Sequence, residues 1–375
     1  MIYLDYSANT PVDARVLEQF CAVERRCIGN ANSHHQAGSA AKAEIDAATI
    51  KIASLLGVQP AEIIYTSGAS EANNFALKGL ARLSRHTGRH IISTPLEHSS
   101  VSGTLTALQE QGYEIDLLDV KQDGTVDLEH LKDLLRPDTI CVAVTLVDSE
   151  LGVVQPVQEI AAILKAYPHC HLHVDATQAV GKIPVSFEGV DTMSLTAHKF
   201  YGLNGIGLLI KRRNLALEPL IHGGESTTIY RSGTPTVALA SSLACALDLA
   251  VTDLPGHVGH VAKLNAELRA ALSTYPLVRI NSPDHAIPHV LNLSVRNVKG
   301  TVFQRELDAK GVCVSVKSAC SSDGLPSRAV FAVSRDRRNA LSSWRISLSH
   351  LTTEDEIKAF LQAFDVCYRE LTALH

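Results

Sequence analysis

The segment that decides the fold reads Ser194-Leu-Thr-Ala-His-Lys-Phe-Tyr-Gly-Leu-Asn-Gly-Ile-Gly-Leu-Leu-Ile210. In it, Lys199 follows a short apolar run and precedes a glycine-rich turn that leads into a second apolar run. A lysine held at the end of a strand can condense with an aldehyde. A surface lysine beside a turn has the same local pattern, so this segment alone leaves both interpretations open. Other parts of the chain decide between them.

An acid ends an apolar run upstream of this lysine. The sequence His171-Leu-His-Val-Asp175 is typical of a buried strand whose last residue is a carboxylate. An acid in an apolar neighbourhood requires a cationic partner, because an unpaired buried charge is costly. A protonated pyridine nitrogen is a partner of this kind.

A third segment has the pattern of a phosphate-binding turn. Residues 62–66 are predicted to form a strand, residues 67–70 a turn of small residues, and Ala72 the start of a helix with a serine N-cap. Free backbone amides at a helix start bind anions such as phosphate. A phosphate site, a buried acid and an aldehyde-binding lysine, in this order, indicate a pocket for pyridoxal phosphate (PLP).

Length and composition predict a soluble enzyme with more than one core. The chain has 375 residues, of which 46% are apolar and 19% charged, with a formal net charge of -5. No basic run is longer than residues 211–213, so we expect no direct binding to nucleic acid. We expect no signal peptide and no membrane-spanning segment, and the eight cysteines lack CxxC spacing. We therefore expect a cytoplasmic protein with reduced thiols and no membrane partner.

The order of elements predicts an α/β fold. Strands and helices alternate from about Ala40, where a helix that ends at Gly57 begins, to residue 174, which favours a mainly parallel sheet with helices on both faces. After residues 253–256 the pattern changes to that of an α+β domain. We therefore predict a large domain over residues 16–250 and a small domain formed by residues 1–15 and 251–375, with a ligand cleft between them.

The run His169-Cys-His-Leu-His173 resembles a metal cluster. Strand alternation places its odd-numbered and even-numbered members on opposite faces, and no second ligand group lies at metal-site spacing. We expect no metal site here.

Taken together, these motifs resemble those of the cysteine desulfurases of the IscS/NifS type, within the class V aminotransferase family of PLP enzymes. The likeness extends from Tyr3-Leu-Asp-Tyr-Ser-Ala-Asn-Thr-Pro11 to Thr352-Thr-Glu-Asp-Glu-Ile357. Between them lie Gly29-Asn-Ala-Asn-Ser-His-His35, Pro95-Leu-Glu-His-Ser-Ser100 and Arg231-Ser-Gly-Thr234. The resemblance implies a PLP-dependent transferase of fold type I that forms a homodimer.

The resemblance also assigns roles around the cofactor. Lys199 is expected to form the Schiff base with PLP and to remove the substrate's α-proton, and Asp175 to keep the ring nitrogen protonated. His98 is expected to stack on the ring and to shuttle protons, and Gln178 to reach the phenolic oxygen, where Ser149 replaces the family's asparagine. The expected phosphate ligands are Ala69, Ser70, Thr196, His198 and, from the partner subunit, Thr234.

The sulfur chemistry is expected to centre on Cys320. It lies in Ser318-Ala-Cys-Ser-Ser322, and in the family such a cysteine takes the sulfur of L-cysteine as a persulfide while alanine leaves. A persulfide would then pass to a sulfur-acceptor protein, as in iron–sulfur cluster biogenesis. Arg345 is the expected clamp for the substrate carboxylate, and Asn30 is expected at the mouth of the site on the substrate side.

Several departures from the family pattern leave alternatives open. Besides Ser149, they are Glu225, Thr227 and Lys317. One alternative is a class V aminotransferase or lyase that acts on another small amino acid, and another is a non-catalytic PLP-fold partner subunit. Cys320 argues against the first, and the retained Lys199 and Arg345 argue against the second. The sequence does not distinguish an iron–sulfur scaffold, a tRNA-thiolation protein or a DNA-modification complex as the acceptor, or exclude selenocysteine as a substrate.

Overall fold

The computed structural model describes residues 1–317 and 325–373. Within these residues the strands are β1 (Ile2–Tyr3), β2 (Ile63–Thr66), β3 (His90–Ser93), β4 (Glu114–Leu117), β5 (Thr139–Thr145), β6 (His171–Asp175), β7 (Thr192–Thr196), β8 (Gly207–Lys211), β9 (Val278–Ile280), β10 (Val290–Val295), β11 (Val312–Cys313) and β12 (Ser343–Ser347).

The helices of the same residues lie between and after these strands in the chain. They are α1 (Ala14–Arg26), α2 (Gln36–Leu56), α3 (Ala69–Leu83), α4 (Ser99–Gln109), α5 (Leu128–Leu134), α6 (Val157–Leu164), α7 (Val237–Thr252), α8 (Leu254–Leu272), α9 (Gly300–Ala309), α10 (Arg328–Ser334), α11 (Arg337–Ser342) and α12 (Glu354–Thr372).

The main sheet of the described chain has seven strands in the order β2-β8-β7-β6-β5-β3-β4. Its pairs are parallel except for the two made by β8, which is antiparallel to both β2 and β7. Strands β5 to β8 are buried along their whole length apart from the first residue of β6, as expected for a sheet covered by helices on both faces. The prediction of an α/β fold with a mainly parallel sheet is confirmed.

The first long helix shows how local signals set its limits. Helix α2 begins at Gln36, four residues before the expected start, because the His35 side chain accepts a hydrogen bond from Gly38 N. It ends at Gly57, whose φ of 66° is the left-handed conformation that favours glycine. The predicted end is confirmed.

A second core forms where the N-terminal segment meets the C-terminal part of the chain. Strand β1 pairs with β11, and β9, β10 and β12 form an antiparallel sheet. Trp344 of β12 is fully buried and stacks on Phe303 of α9, with ring centroids 5.1 Å apart. Leu4 packs in the same cluster. The boundaries at residues 16 and 250 stay a prediction.

Among the described helices, none by itself is long and apolar enough to cross a membrane. Helices α7 and α8 meet the length and composition criteria only when taken as one pair, and they are bent by 65° relative to each other.

We predict that Gly207→Ala destabilises the protein by about 1–3 kcal/mol, because a tightly packed position has no room for a methyl group. A Cβ at Gly207 would lie 2.6 Å from Leu195 O and 2.7 Å from Gly68 Cα. The matched control is Gly103→Ala on α4, where a Cβ meets nothing within 4 Å and the gain in helix propensity is about 0.5–1 kcal/mol. Urea unfolding measures both variants. A Gly207→Ala variant as stable as the unmodified protein would show that the contact around β8 is not tight.

Candidate active site

A cavity of about 340 Å³ lies at the carboxyl ends of the parallel strands β5, β6 and β7. This edge of an open α/β sheet is where ligands usually bind. The N-terminal residues Ser7 and Ala8 also line the cavity. It brings together these residues that the sequence analysis singled out: Ala69, Ser70, His98, Ser149, Asp175, Gln178, Thr196, His198, Lys199 and Arg345.

The turn after β2 presents a helix start to the cavity. Helix α3 begins at Ala69, so the expected start at Ala72 was wrong. The N-cap is Gly68, which makes no side-chain cap bond, so the expected serine cap was wrong too. The reason is backbone geometry: Gly68 has φ 154°, a conformation that side-chain-bearing residues rarely adopt. Ser70 is exposed, and the first N–H groups of a helix have no partner within it. This turn can therefore hold an anion.

The Asp175 carboxylate is buried and fixed by two donors. Its Oδ2 accepts from Asn73 Nδ2 at 2.8 Å and its Oδ1 accepts from Thr177 N at 2.9 Å. Asn73 is fully buried, and its Oδ1 accepts from His173 Nε2 at 3.0 Å and from Ser194 Oγ at 2.5 Å. Burial lowers the pKa of His173 to about 4, so the ring is neutral and its Nε2–H can be the donor.

His98 is the N-cap of α4, and its tautomer follows from its bonds. His98 Nδ1 accepts from Ser100 N at 3.1 Å and lies 2.9 Å from Ser100 Oγ, which in turn accepts from Asn73 Nδ2. Desolvation is the main cause that lowers the pKa of His98. The ring is thus neutral at pH 7, with its proton on Nε2. Asn73 is therefore hydrogen-bonded directly to Asp175 and, through Ser100, to His98.

Lys199 lies in a short 3-10 turn that follows β7. Its Nζ donates to the main-chain oxygens of Ser7 and Ala8, each at 2.7 Å. Burial, and then the positive charge of Lys199, lower the pKa of the neighbouring His198 to about 4. The His198 imidazole next to the lysine is therefore neutral at pH 7.

Gln178 is engaged at both ends of its carboxamide. Its Nε2 donates to Ser7 O at 2.9 Å, and its Oε1 accepts from Lys182 Nζ at 3.0 Å. Lys182 is 5% exposed, and burial followed by the charges of Lys199 and Arg345 lowers its pKa to about 7. The lysine orients the amide so that its N–H₂ group faces the main-chain oxygen on the cavity side.

Arg345 also lines the cavity. Its Nη1 donates to Ser149 O at 2.7 Å, and its Nη2 donates to Asp5 Oδ1 at 3.0 Å. Ser149 lines the cavity, whereas Asp148 does not: its carboxylate accepts from the backbone amides of Glu150 and Leu151. Burial raises the pKa of Asp148 to about 7, so its carboxyl group is only partly ionised at neutral pH.

Two of the expected site residues lie elsewhere, and a third is not among the residues that the structure describes. Thr234 is exposed and lines a neighbouring cavity of about 190 Å³, which shares Ser67 with the first. Asn30 is exposed between α1 and α2, where its side chain accepts from Asn32 N at 2.9 Å, and it does not line the first cavity. Cys320 lies outside the described residues. The roles expected for these three residues stay predictions.

The sequence analysis missed several residues that shape the site. Their partners are distant in the chain, as for the pair of Asn73 and Asp175, so no local pattern marks them. A polar residue within the otherwise apolar face of a helix was the available signal for Asn73, and a lysine within an apolar run was the signal for Lys182. The missed residues are Asp5, Ser7, Asn73, Glu97 and Lys182.

The cavity fits a ligand that carries an aldehyde, a basic ring nitrogen and a phosphate group, as PLP does. Lys199 can hold the aldehyde, Asp175 the ring nitrogen, and the first turn of α3 the phosphate. The Nε of Arg345 is buried without a hydrogen-bond partner among the described residues, which leaves a donor for a carboxylate. The described parts of the chain contain no group of three or more side chains arranged to hold a metal ion.

Comparisons with known proteins find similar sequences and structures over almost the whole chain. The sequence profile of the family described as aminotransferase class-V matches residues 2–360. Cysteine desulfurase IscS of Proteus mirabilis is 40% identical over 365 residues, which cover 95% of this chain and 90% of the relative. A solved NifS-like protein is 35% identical with a TM-score of 0.92 and covers 99% of both chains. The solved structure titled "SspA in complex with cysteine" is 30% identical with a TM-score of 0.82, covering 94% of this chain and 100% of that one.

The chain therefore belongs to the class V aminotransferase family. The family is one of enzymes of the PLP-dependent fold type I, which confirms the fold expected from the resemblance.

The buried carboxyl group of Glu97, next to His98, makes the stability of the protein depend on pH. Its Oε1 accepts from Thr145 N and Thr94 Oγ1, while its Oε2 is buried without a partner among the described residues. Burial raises the pKa of Glu97 from 4.5 to about 8. The folded protein holds this proton whereas the unfolded chain releases it, so the contribution of Glu97 to stability is greatest below pH 4.5 and is lost as the pH rises to about 8.

We predict that Glu97→Gln removes this loss, because an amide does not titrate in this range. Between pH 4.5 and about 8, the free energy of unfolding of the variant should rise relative to that of the unmodified protein by at most about 1.4 kcal/mol per pH unit. Urea unfolding of both cofactor-loaded proteins across this window measures the difference. Glu110→Gln, at an exposed position after α4, is the control and should follow the unmodified protein. If the free energy of unfolding changed equally with pH in Glu97→Gln and in the unmodified protein, the raised pKa of Glu97 would be contradicted.

Proposed function

We propose that this protein is a PLP-dependent cysteine desulfurase, which converts L-cysteine to L-alanine and passes the sulfur to an acceptor protein through a persulfide on Cys320. The observation that carries the proposal is the meeting of Lys199, Asp175, His98 and Arg345 around one cavity. Relatives named cysteine desulfurase support the substrate, as does the relative solved in complex with cysteine.

Each polar group of the cavity has a task in this proposal. PLP, when bound, supplies an electron-withdrawing ring for the reaction at the substrate's α-carbon. Lys199, Asp175 and the first turn of α3 would hold it. The Lys199 amine, once released from the main-chain oxygens of Ser7 and Ala8, accepts the α-proton of the substrate.

The remaining groups bind and orient the substrate. Arg345 binds the carboxylate through a charge-assisted hydrogen bond. Neutral His98 carries a proton on Nε2, and Ser100 holds its ring in this tautomer. Cys320 forms the new S–S bond as the C–S bond of the substrate breaks, so the sulfur leaves the carbon and stays on the protein. A homodimer that places Thr234 on the phosphate and a cytoplasmic location belong to the same proposal.

The products formed from L-cysteine test the proposed function. We expect the PLP-loaded protein with L-cysteine and a thiol reductant to release L-alanine and sulfide in equal amounts. Lys199→Ala should release neither, because the group that accepts the α-proton is absent. A keto acid or pyruvate with ammonia, in place of alanine, would identify an aminotransferase or a lyase instead.

We predict that Cys320→Ser binds L-cysteine but carries no extra sulfur. The cavity that binds the amino acid keeps its residues, whereas the nucleophile is removed. Mass spectrometry of peptides after treatment with L-cysteine measures the added sulfur. Cys27→Ser is the matched control, since Cys27 is a half-buried thiol at the end of α1, and it should keep the modification on Cys320. Sulfur on a different cysteine, with Cys320 unmodified, would show that the wrong thiol was chosen.

A further inference from the structure

The N-terminal motif contains an acid that the proposed reaction has not used. Asp5 follows β1 and lies in the isolated bridge that joins this segment to Ser347 of β12. Its carboxylate accepts from two side chains: Oδ1 from Arg345 Nη2 at 3.0 Å and Oδ2 from Ser315 Oγ at 2.7 Å. Both donors are more than 300 residues away in the chain, so tertiary structure creates this cluster.

Arg345 needs such a partner because of its position. Its side chain is 2% exposed, and a buried guanidinium without a counter-charge is strongly destabilising. The main chain is fixed as well, since Arg345 N donates to Ser315 O and Ser315 N donates to Arg345 O. Strand alternation turns Trp344 into the core and Arg345 toward the cavity. Asp5 and Ser149 O then decide where the end of the guanidinium lies.

Asp5 leaves part of the guanidinium for a ligand. One Nη2 hydrogen goes to Asp5 and one Nη1 hydrogen to Ser149 O, while Nε–H is buried without a partner among the described residues. A planar guanidinium recognises a carboxylate by presenting neighbouring N–H groups along one edge. A shift of the group by one rotamer would remove that edge from the cavity.

We infer that Asp5 is a positioning residue that holds Arg345 for the α-carboxylate of the substrate and thereby makes the site specific for amino acids over simple amines. This role rests on the proposed function. Asp5 acts through Arg345 and does not itself contact the substrate.

The test measures binding with two probes that differ only in the carboxylate. L-Alanine and ethylamine are titrated separately into the PLP-loaded protein, and the change in visible absorbance gives each Kd. In Asp5→Ala we expect the Kd of L-alanine to rise about tenfold and that of ethylamine to change less than about twofold, since ethylamine has no carboxylate to lose. An equal change for both probes, or none for L-alanine, overturns the role.

Two further variants keep the test decisive. Asp5→Glu retains the counter-charge of Arg345, so folding is preserved, but it displaces the carboxylate by one methylene; the Kd of L-alanine should rise severalfold and that of ethylamine should not. An unchanged Kd for L-alanine in Asp5→Glu overturns the role. Ser315→Ala removes the other partner of Asp5 and leaves the pair with Arg345 intact, so both Kd values should stay within about twofold.

Failure of this role and failure of the proposed function are separable. The release of alanine from L-cysteine by the unmodified protein tests the function and involves no variant of Asp5. A protein that makes alanine but shows no selective loss of L-alanine binding in Asp5→Ala retains the function and refutes the role.

Discussion

The site depends on the hydrogen bond between the buried carboxylate of Asp175 and the carboxamide of Asn73. A carboxylate that leaves water costs several kcal/mol unless donors or a cation compensate it. Asn73 and Thr177 N supply donors, but no neighbouring lysine or arginine is within ion-pair distance of Asp175 in the described residues. Under the proposed function, the cation that compensates this charge is the protonated ring nitrogen of PLP.

The same carboxamide ties together the elements that surround the cavity. Asn73 lies on α3, whose first turn forms the anion site, and it contacts β6 through His173 and β7 through Ser194. Through Ser100 it reaches the start of α4, where His98 is the N-cap. A fully satisfied buried network of this kind rigidifies the groups that it joins. The distance between the anion site and the buried acid is thus fixed before a cofactor binds.

The sequence predicted those parts of the fold and site that local patterns encode. The apolar run that ends at Asp175 and the glycine at position 57 have short-range signals, and the structure places both as expected. The pairing of Asp5 with Arg345 spans 340 residues, and the antiparallel course of β8 depends on its two neighbours in the sheet, so neither leaves a local pattern. The start of α3 at Ala69 depends on the backbone angle of Gly68, which a run of small residues does not specify.

The protonation state of the ring nitrogen tests the central claim that Asp175 is held to pair with a cation of the cofactor. The protein is reconstituted with PLP labelled with ¹⁵N in the ring, and the ¹⁵N chemical shift is measured across the neutral pH range. We predict the shift of a protonated pyridine throughout, and the shift of an unprotonated one in Asp175→Asn, which has the same shape without the charge. An unprotonated ring nitrogen in the unmodified protein would contradict the account.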